Sequence, residues 1–168
     1  MIESFNGKSA RIAPTAFVSE AACVIGDVEI GENSSVWPGA IIRGDFTSIR
    51  IGNNCQIEDN CVVHAGRPVE IGDNVHIGHG AVVHCSRIGN NVLIGSNATL
   101  LDEAEIGDSC VVAANSVVGT GMRIPDDSFV AGVPAKIKGN RTRSQAAATE
   151  DGVNAYVRLA RQYKREGL

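Results

Sequence analysis

The chain has 168 residues, 43% of them hydrophobic but only 4% aromatic, with 19 glycines and a formal charge of -4. That length suits one domain with a core of small aliphatic side chains, and the acidic balance argues against nucleic acid as a partner. No apolar run reaches the roughly 20 residues of a membrane span, which excludes a membrane-spanning class of this kind.

Aliphatic residues recur every six positions. Ile12, Val18, Val24, Ile30, Val36 and Ile42 form the first run, Ile51, Ile57 and Val63 the second, and Ile71, Ile77 and Val83 the third. A last run takes Ile88, Ile94, Leu100, Ile106, Val112, Val118, Ile124 and Val130. A long helix needs a period near 3.6, whereas this short fixed period predicts an all-β solenoid whose stacked units bury the recurring aliphatic. The fifth residue of each unit is small, as at Ala22, Ser34, Ala81 and Ala98, and Cys55, Cys61 and Cys110 fill the same slot as core residues. Glycine at the second position, as in Ile30-Gly31 and Ile71-Gly72, suits corners that need permissive backbone angles.

Three units per triangular coil, the geometry of hexapeptide-repeat proteins, puts every third unit on one face, with coils roughly 4.8 Å apart. The spacing breaks only from Ile42 to Ile51, Val63 to Ile71 and Val83 to Ile88. Those breaks begin three units apart, so they gather at one corner of successive coils, and irregular loops on one side of a solenoid mark its binding side. Residues 1–139 are therefore read as the β-helix domain, with the repeat starting near residue 12. Residues 140–148 read as a linker and 149–168 as a helix, in which Val153, Tyr156, Val157, Ala160 and Tyr163 recur at helical spacing. Thr149 is its expected cap, with Glu150 and Asp151 in the first turn. The basic residues of this tail read as a solvated helix face.

The five cysteines form no Cys-x-x-Cys pair, and their odd number argues against a complete disulfide framework. Met1-Ile2-Glu3-Ser4 lacks the basic and apolar regions of a signal peptide. Both features predict a cytoplasmic protein.

The second position of the three units at which the spacing breaks carries chemistry. Arg43, His64 and His84 follow Ile42, Val63 and Val83, so they stack on one face, while Asp59 and His79 stack at the third position of the preceding face. Two imidazoles on neighbouring coils can converge on one metal ion, given Zn–N bonds of roughly 2.0–2.1 Å. His79 lies five residues before His84, on the order of 16 Å along an extended face. It reaches that ion only from another subunit around a threefold axis. A solitary histidine on a solenoid face reads instead as a surface or interface group; His76, outside both columns, is read that way. Cys85, next to His84, has no assigned role.

The ordered set Ser35-Val36-Trp37-Pro38-Gly39-Ala40, Arg43-Gly44-Asp45, Asp59, His64, Ile77-Gly78-His79-Gly80-Ala81 and His84 resembles the γ-class carbonic anhydrases, over about residues 10 to 139. The resemblance implies a left-handed parallel β-helix and a homotrimer with sites at the subunit interfaces. It implies zinc, with cobalt or iron as alternatives, held by His64 and His84 of one subunit and His79 of the next. Arg43 and Asp59 then support the interface, with Asp45 beside them. Where the family usually has Gln before the aspartate and Asn two residues earlier, this chain has Glu58 and Gln56, which become the candidate catalytic groups. An ionised Glu58 would repel bicarbonate unless protonated or turned outward. Only Ala65-Gly66-Arg67-Pro68 stands where founding members carry an acidic loop with a proton-shuttling Glu, which predicts weak activity.

The implied reaction is reversible hydration of CO2 to bicarbonate, in which three neutral histidines lower the pKa of metal-bound water to about 7. Glu58 would orient that water or take its proton. A rival reading is an acyl-CoA-dependent acyltransferase or thioesterase, suggested by Gly132-Val133-Pro134-Ala135-Lys136, a segment that equally serves to close a solenoid. A third is a non-catalytic trimeric assembly subunit with a structural metal, although such sites close all four positions with protein ligands.

Overall fold

A computed structural model describing residues 1–168 shows a parallel β-solenoid of about seven turns followed by a C-terminal helix. The six-residue period sets the register. On the first face Ile12, Ile30, Ile51, Ile71, Ile88, Ile106 and Ile124 stand in line. The second aligns Val18, Val36, Ile57, Ile77, Ile94, Val112 and Val130. The third aligns Val24, Ile42, Val63, Val83, Leu100 and Val118. Because the side chains of a strand alternate, the aligned aliphatics point inward together with the small fifth residues and make one continuous core of 35 buried residues. Strands Cys23–Ile30 and Ile41–Ile51 run unbroken through the corner between the third and first faces, which joins those faces into one twelve-stranded sheet. The second face is a separate eight-stranded sheet, ended by Ala135–Asn140 folding back antiparallel on Ser128–Gly132.

The corner glycines serve a purpose other than the expected one. The left-handed angles fall at the fourth position, on Asn33 (φ 57°), Asn54 (φ 54°), Asn74 and Asn91 (φ 57° each), where a short amide tolerates them. Second-position glycines are needed for close approach: a Cβ on Gly52 would lie 2.6 Å from the Gly72 carbonyl oxygen and 2.4 Å from Asp73 Oδ1 on the next coil.

The helix also differs from expectation. It spans Arg143–Glu166, so most of the expected linker is helical. Thr142 and Gln145 form a reciprocal capping box, and the alanines that follow favour helix, which the compositional reading took for a linker. Thr149 is no cap; it is buried on the docked face and donates to the Gln145 carbonyl. The basic tail is only partly solvated, because Lys164 donates to the Pro14 and Ala16 carbonyls and Arg161 to Asn33. Phe17, Trp37 and Ala160, with Tyr156 and Tyr163 against them, clamp the helix over the second face. No helix is long and apolar enough to cross a membrane.

Candidate metal centre

The three spacing breaks lie together at the corner between the third and first faces, and the histidine pair sits there. The His64 backbone N–H donates to the Val83 carbonyl at 3.0 Å, and that of His84 to Leu100 at 2.9 Å, which stacks the two residues on successive coils. Their rings have centroids 5.5 Å apart and planes at 55°. Asp45 Oδ1 lies 3.1 Å from His64 Nε2, and Asp102 Oδ1 lies 3.1 Å from His84 Nδ1. Arg43 pairs with Asp45. Burial works against the charge of Asp45, but hydrogen bonds from Arg43, the Phe46 backbone N–H and His64 outweigh it and hold its carboxyl below the ordinary 3.8. Phe46, 76% exposed, leans over His64 at 5.6 Å.

His79 is elsewhere, at the corner after the second face, with Nδ1 3.0 Å from Asp59 Oδ2 and Nε2 3.1 Å from Glu58 Oε2. Within one chain no group of three or more His, Cys, Asp or Glu side chains could hold a metal ion. The structure thus brings His64 and His84 together and keeps His79 with the carboxylates. It also separates Arg43 from Asp59, each having a nearer partner.

Glu58 and Gln56 lie on the second face beneath the helix. Glu58 is 3% exposed, accepting from His76 Nε2 at 2.8 Å through Oε1 and from the His79 backbone N–H at 2.9 Å through Oε2. Tyr156 of the helix stands near the same carboxylate. Burial raises the Glu58 pKa, yet His76 and Tyr156 bring it below the ordinary 4.5, so the group is ionised. Gln56 is fully buried, its amide donating to the Asn54 carbonyl. That leaves it without exposed surface in the single chain.

Sequence reasoning misses Asp102, and it reads His76 only as a surface or interface group. The signal for His76 was its register, one position before Ile77 and therefore stacked on Gln56. Asp102 lies two residues after Leu100, whose unit stacks on that of Val83.

The repeat and the corner insertions define a hexapeptide-repeat protein, and residues 48–85 and 86–120 match the family model described as bacterial transferase hexapeptide (six repeats). The chain is 36% identical over 169 residues to the carbonic anhydrase of Geobacillus kaustophilus, covering 99% of this chain and 89% of that protein. It belongs to the γ-class carbonic anhydrase-like family. It is also 36% identical to the mitochondrial γ carbonic anhydrase 2 of Arabidopsis thaliana, across 95% of this chain, but spans only 60% of that longer relative. A solved structure of a hexapeptide transferase family protein from Anaplasma phagocytophilum superimposes with a TM-score of 0.93 at 34% identity, over 97% of this chain and 98% of that one.

Proposed function

We propose that the protein is a metal-dependent lyase that converts CO2 reversibly to bicarbonate as a homotrimer. The observation that carries this reading is the His64–His84 pair, stacked by the coil at the corner where all three insertions gather. Neutral imidazoles suit zinc, and also cobalt or iron. His64 and His84 would hold the ion, with His79 of a neighbouring subunit as third ligand. Bound there, the ion supplies Lewis acidity toward water and CO2.

The chain's own groups prepare that site. Asp59 accepts from Nδ1 of His79, whose Nε2 must turn away from Glu58 to face an ion, and Asp102 lies 3.1 Å from Nδ1 of His84, on the side away from Nε2. Arg43 neutralises Asp45 beside His64, while Phe46 shields one side of the ring from water. Glu58 is ionised but spends lone pairs on His76 and the His79 N–H, which moderates its repulsion of bicarbonate. Its place behind His79 makes it a positioning residue. Five free cysteines fit a reducing cytoplasm.

The test is metal content per subunit together with stopped-flow CO2 hydration on the native assembly. His64→Ala is expected to lose the metal and the catalysed rate together. Equal rates for wild type and variant overturn the reading.

Acyl transfer is the second reading, favoured by the likeness to the Anaplasma transferase-family structure. It needs a base but no metal. Acyl-CoA turnover that survives complete removal of metal would support it over CO2 hydration.

A further inference from the structure

Arg141 joins the last strand to the helix cap, and its side chain is only 16% exposed. The carboxylate opposite it, Asp127 Oδ1, stands 3.8 Å from Nη2, beyond hydrogen-bond range, and no protein acceptor bonds the guanidinium. A guanidinium has five N–H donors and keeps its charge at any ordinary pH. One so largely buried needs acceptors from water or a ligand.

The space in front of it is a notch of about 340 Å³ between the helix and the corner leading from the first face to the second, lined by Asn74, Asn91, Ser109, Thr149 and Glu150 among others. The corner explains why the notch exists. Its fourth-position residues form an amide ladder, in which Asn33 Nδ2 donates to Asn54 Oδ1 at 3.3 Å, Asn54 to Asn74 at 3.1 Å and Asn74 to Asn91 at 3.1 Å. On the next coil Ser109 holds the same left-handed corner (φ 59°), but its short side chain ends the ladder. The Asn91 amide NH2 and the Ser109 hydroxyl are left without protein partners. Three donor groups, one of them permanently cationic, therefore line one notch; Asn91 and the notch's carboxylate residue, Glu150, are both exposed, while Arg141 and Ser109 are half-buried.

We propose that this notch binds a small oxyanion, held by Arg141 with Asn91 and Ser109 as neutral donors. Phosphate-type and carboxylate-type anions share that chemistry, since both offer several acceptor oxygens to a guanidinium fork.

The experiment is 15N NMR of the full-length, metal-loaded assembly at constant ionic strength, titrated with inorganic phosphate and separately with acetate. Saturable shifts are expected at the Arg141 Nε–H and at the Ser109 and Asn91 amides. Response to one probe alone still supports the site and identifies the anion class. Arg141→Gln is expected to weaken binding about tenfold or more. Ser109→Asn is the sharper variant, because asparagine tolerates the left-handed corner and extends the ladder into the notch. It is expected to abolish the shifts while raising the melting temperature, and it decides the matter should Arg141→Gln fail to fold. Shifts that do not saturate, that spread over the surface, or that persist in Ser109→Asn overturn the proposal. Anions bound at the histidine pair would move the His64 and His84 resonances instead, and neither variant touches those residues, so the two readings fail separately.

Discussion

Glu58 Oε1 lies 2.8 Å from His76 Nε2 on the second face, beneath the C-terminal helix. An ionised carboxylate only accepts, so His76 carries a hydrogen on Nε2. The second Glu58 oxygen takes the His79 backbone N–H, and Tyr156 approaches from the helix. The position of His79 thus depends on a carboxylate held by His76 from the next coil.

Acid stability should report this network. The Glu58 carboxyl is depressed below its ordinary 4.5 because its hydrogen bonds outweigh the opposing effect of burial. A depressed folded-state value contributes stability above the unfolded pKa and loses it as pH falls through the folded one. Glu58→Gln removes the titration, so its melting temperature should fall less steeply than that of wild type below about pH 4.5. Near neutral pH the variant should be less stable by about 1–3 kcal/mol, because His76 loses a charged acceptor. Melting curves of the two proteins that run parallel in acid would show that Glu58 is already protonated.

The solenoid was legible in the sequence because burial imposes one aliphatic every six residues, and the breaks at Ile42, Val63 and Val83 located the functional corner. The pairing of His64 with His84 followed from the same arithmetic, since residues at equal positions in successive coils must stack. Period alone says nothing about a face covered by another element. His76 reads as a surface or interface group because the helix that covers it is remote in sequence. The helix start was hidden by composition: Ser144 to Ala148 is small and polar enough for a linker, and only the Thr142–Gln145 spacing reveals the cap.

Gly152 marks how tightly the helix is seated. In a helix interior, Gly→Ala ordinarily gains about 1 kcal/mol. Here a Cβ would stand 3.0 Å from His76 Nδ1, and His76 is pinned by Glu58 and by Tyr156, whose ring centroid is 5.3 Å away. Gly152→Ala should therefore lower the melting temperature of wild type but raise that of His76→Ala. The double-mutant cycle should show a coupling of about 1–2 kcal/mol. A gain of stability in both backgrounds would mean that His76 gives way freely.

Thiol labelling tests the core. Cys55, Cys61, Cys85 and Cys110 are buried while Cys23 is partly exposed. Burial pushes the thiols of Cys55, Cys61 and Cys85 up to about 12. Cys85, which had no assigned role in the sequence, is a core residue like the others. A disulfide reagent at mildly alkaline pH should label one thiol per folded chain, and Cys23→Ser should abolish that reaction. Two or more equivalents before unfolding would mean that the coils open locally.

Trp37 is the anchor of the helix and the chain's only tryptophan. Its ring lies 5.2 Å from Phe17, 5.3 Å from Tyr156 and 5.1 Å from Tyr163, and its indole N–H donates to Ser35 Oγ at 2.9 Å. Trp37→Ala removes the centre of this cluster, a change that costs about 3–5 kcal/mol where the site cannot collapse. The solenoid core lies on the other side of the sheet and does not include Trp37, so the loss should fall on helix docking. Amide hydrogen exchange across Arg143–Glu166 should accelerate in Trp37→Ala, while Ile57, Ile77 and Ile94 remain protected. Trp37→Phe keeps the aromatic contacts and loses only the bond to Ser35, so it should exchange nearly as slowly as wild type. Because the helix carries Tyr156 to Glu58, CO2 hydration should fall in Trp37→Ala with the metal retained. Uniform loss of protection in both regions would instead make the helix part of the same cooperative unit as the coils.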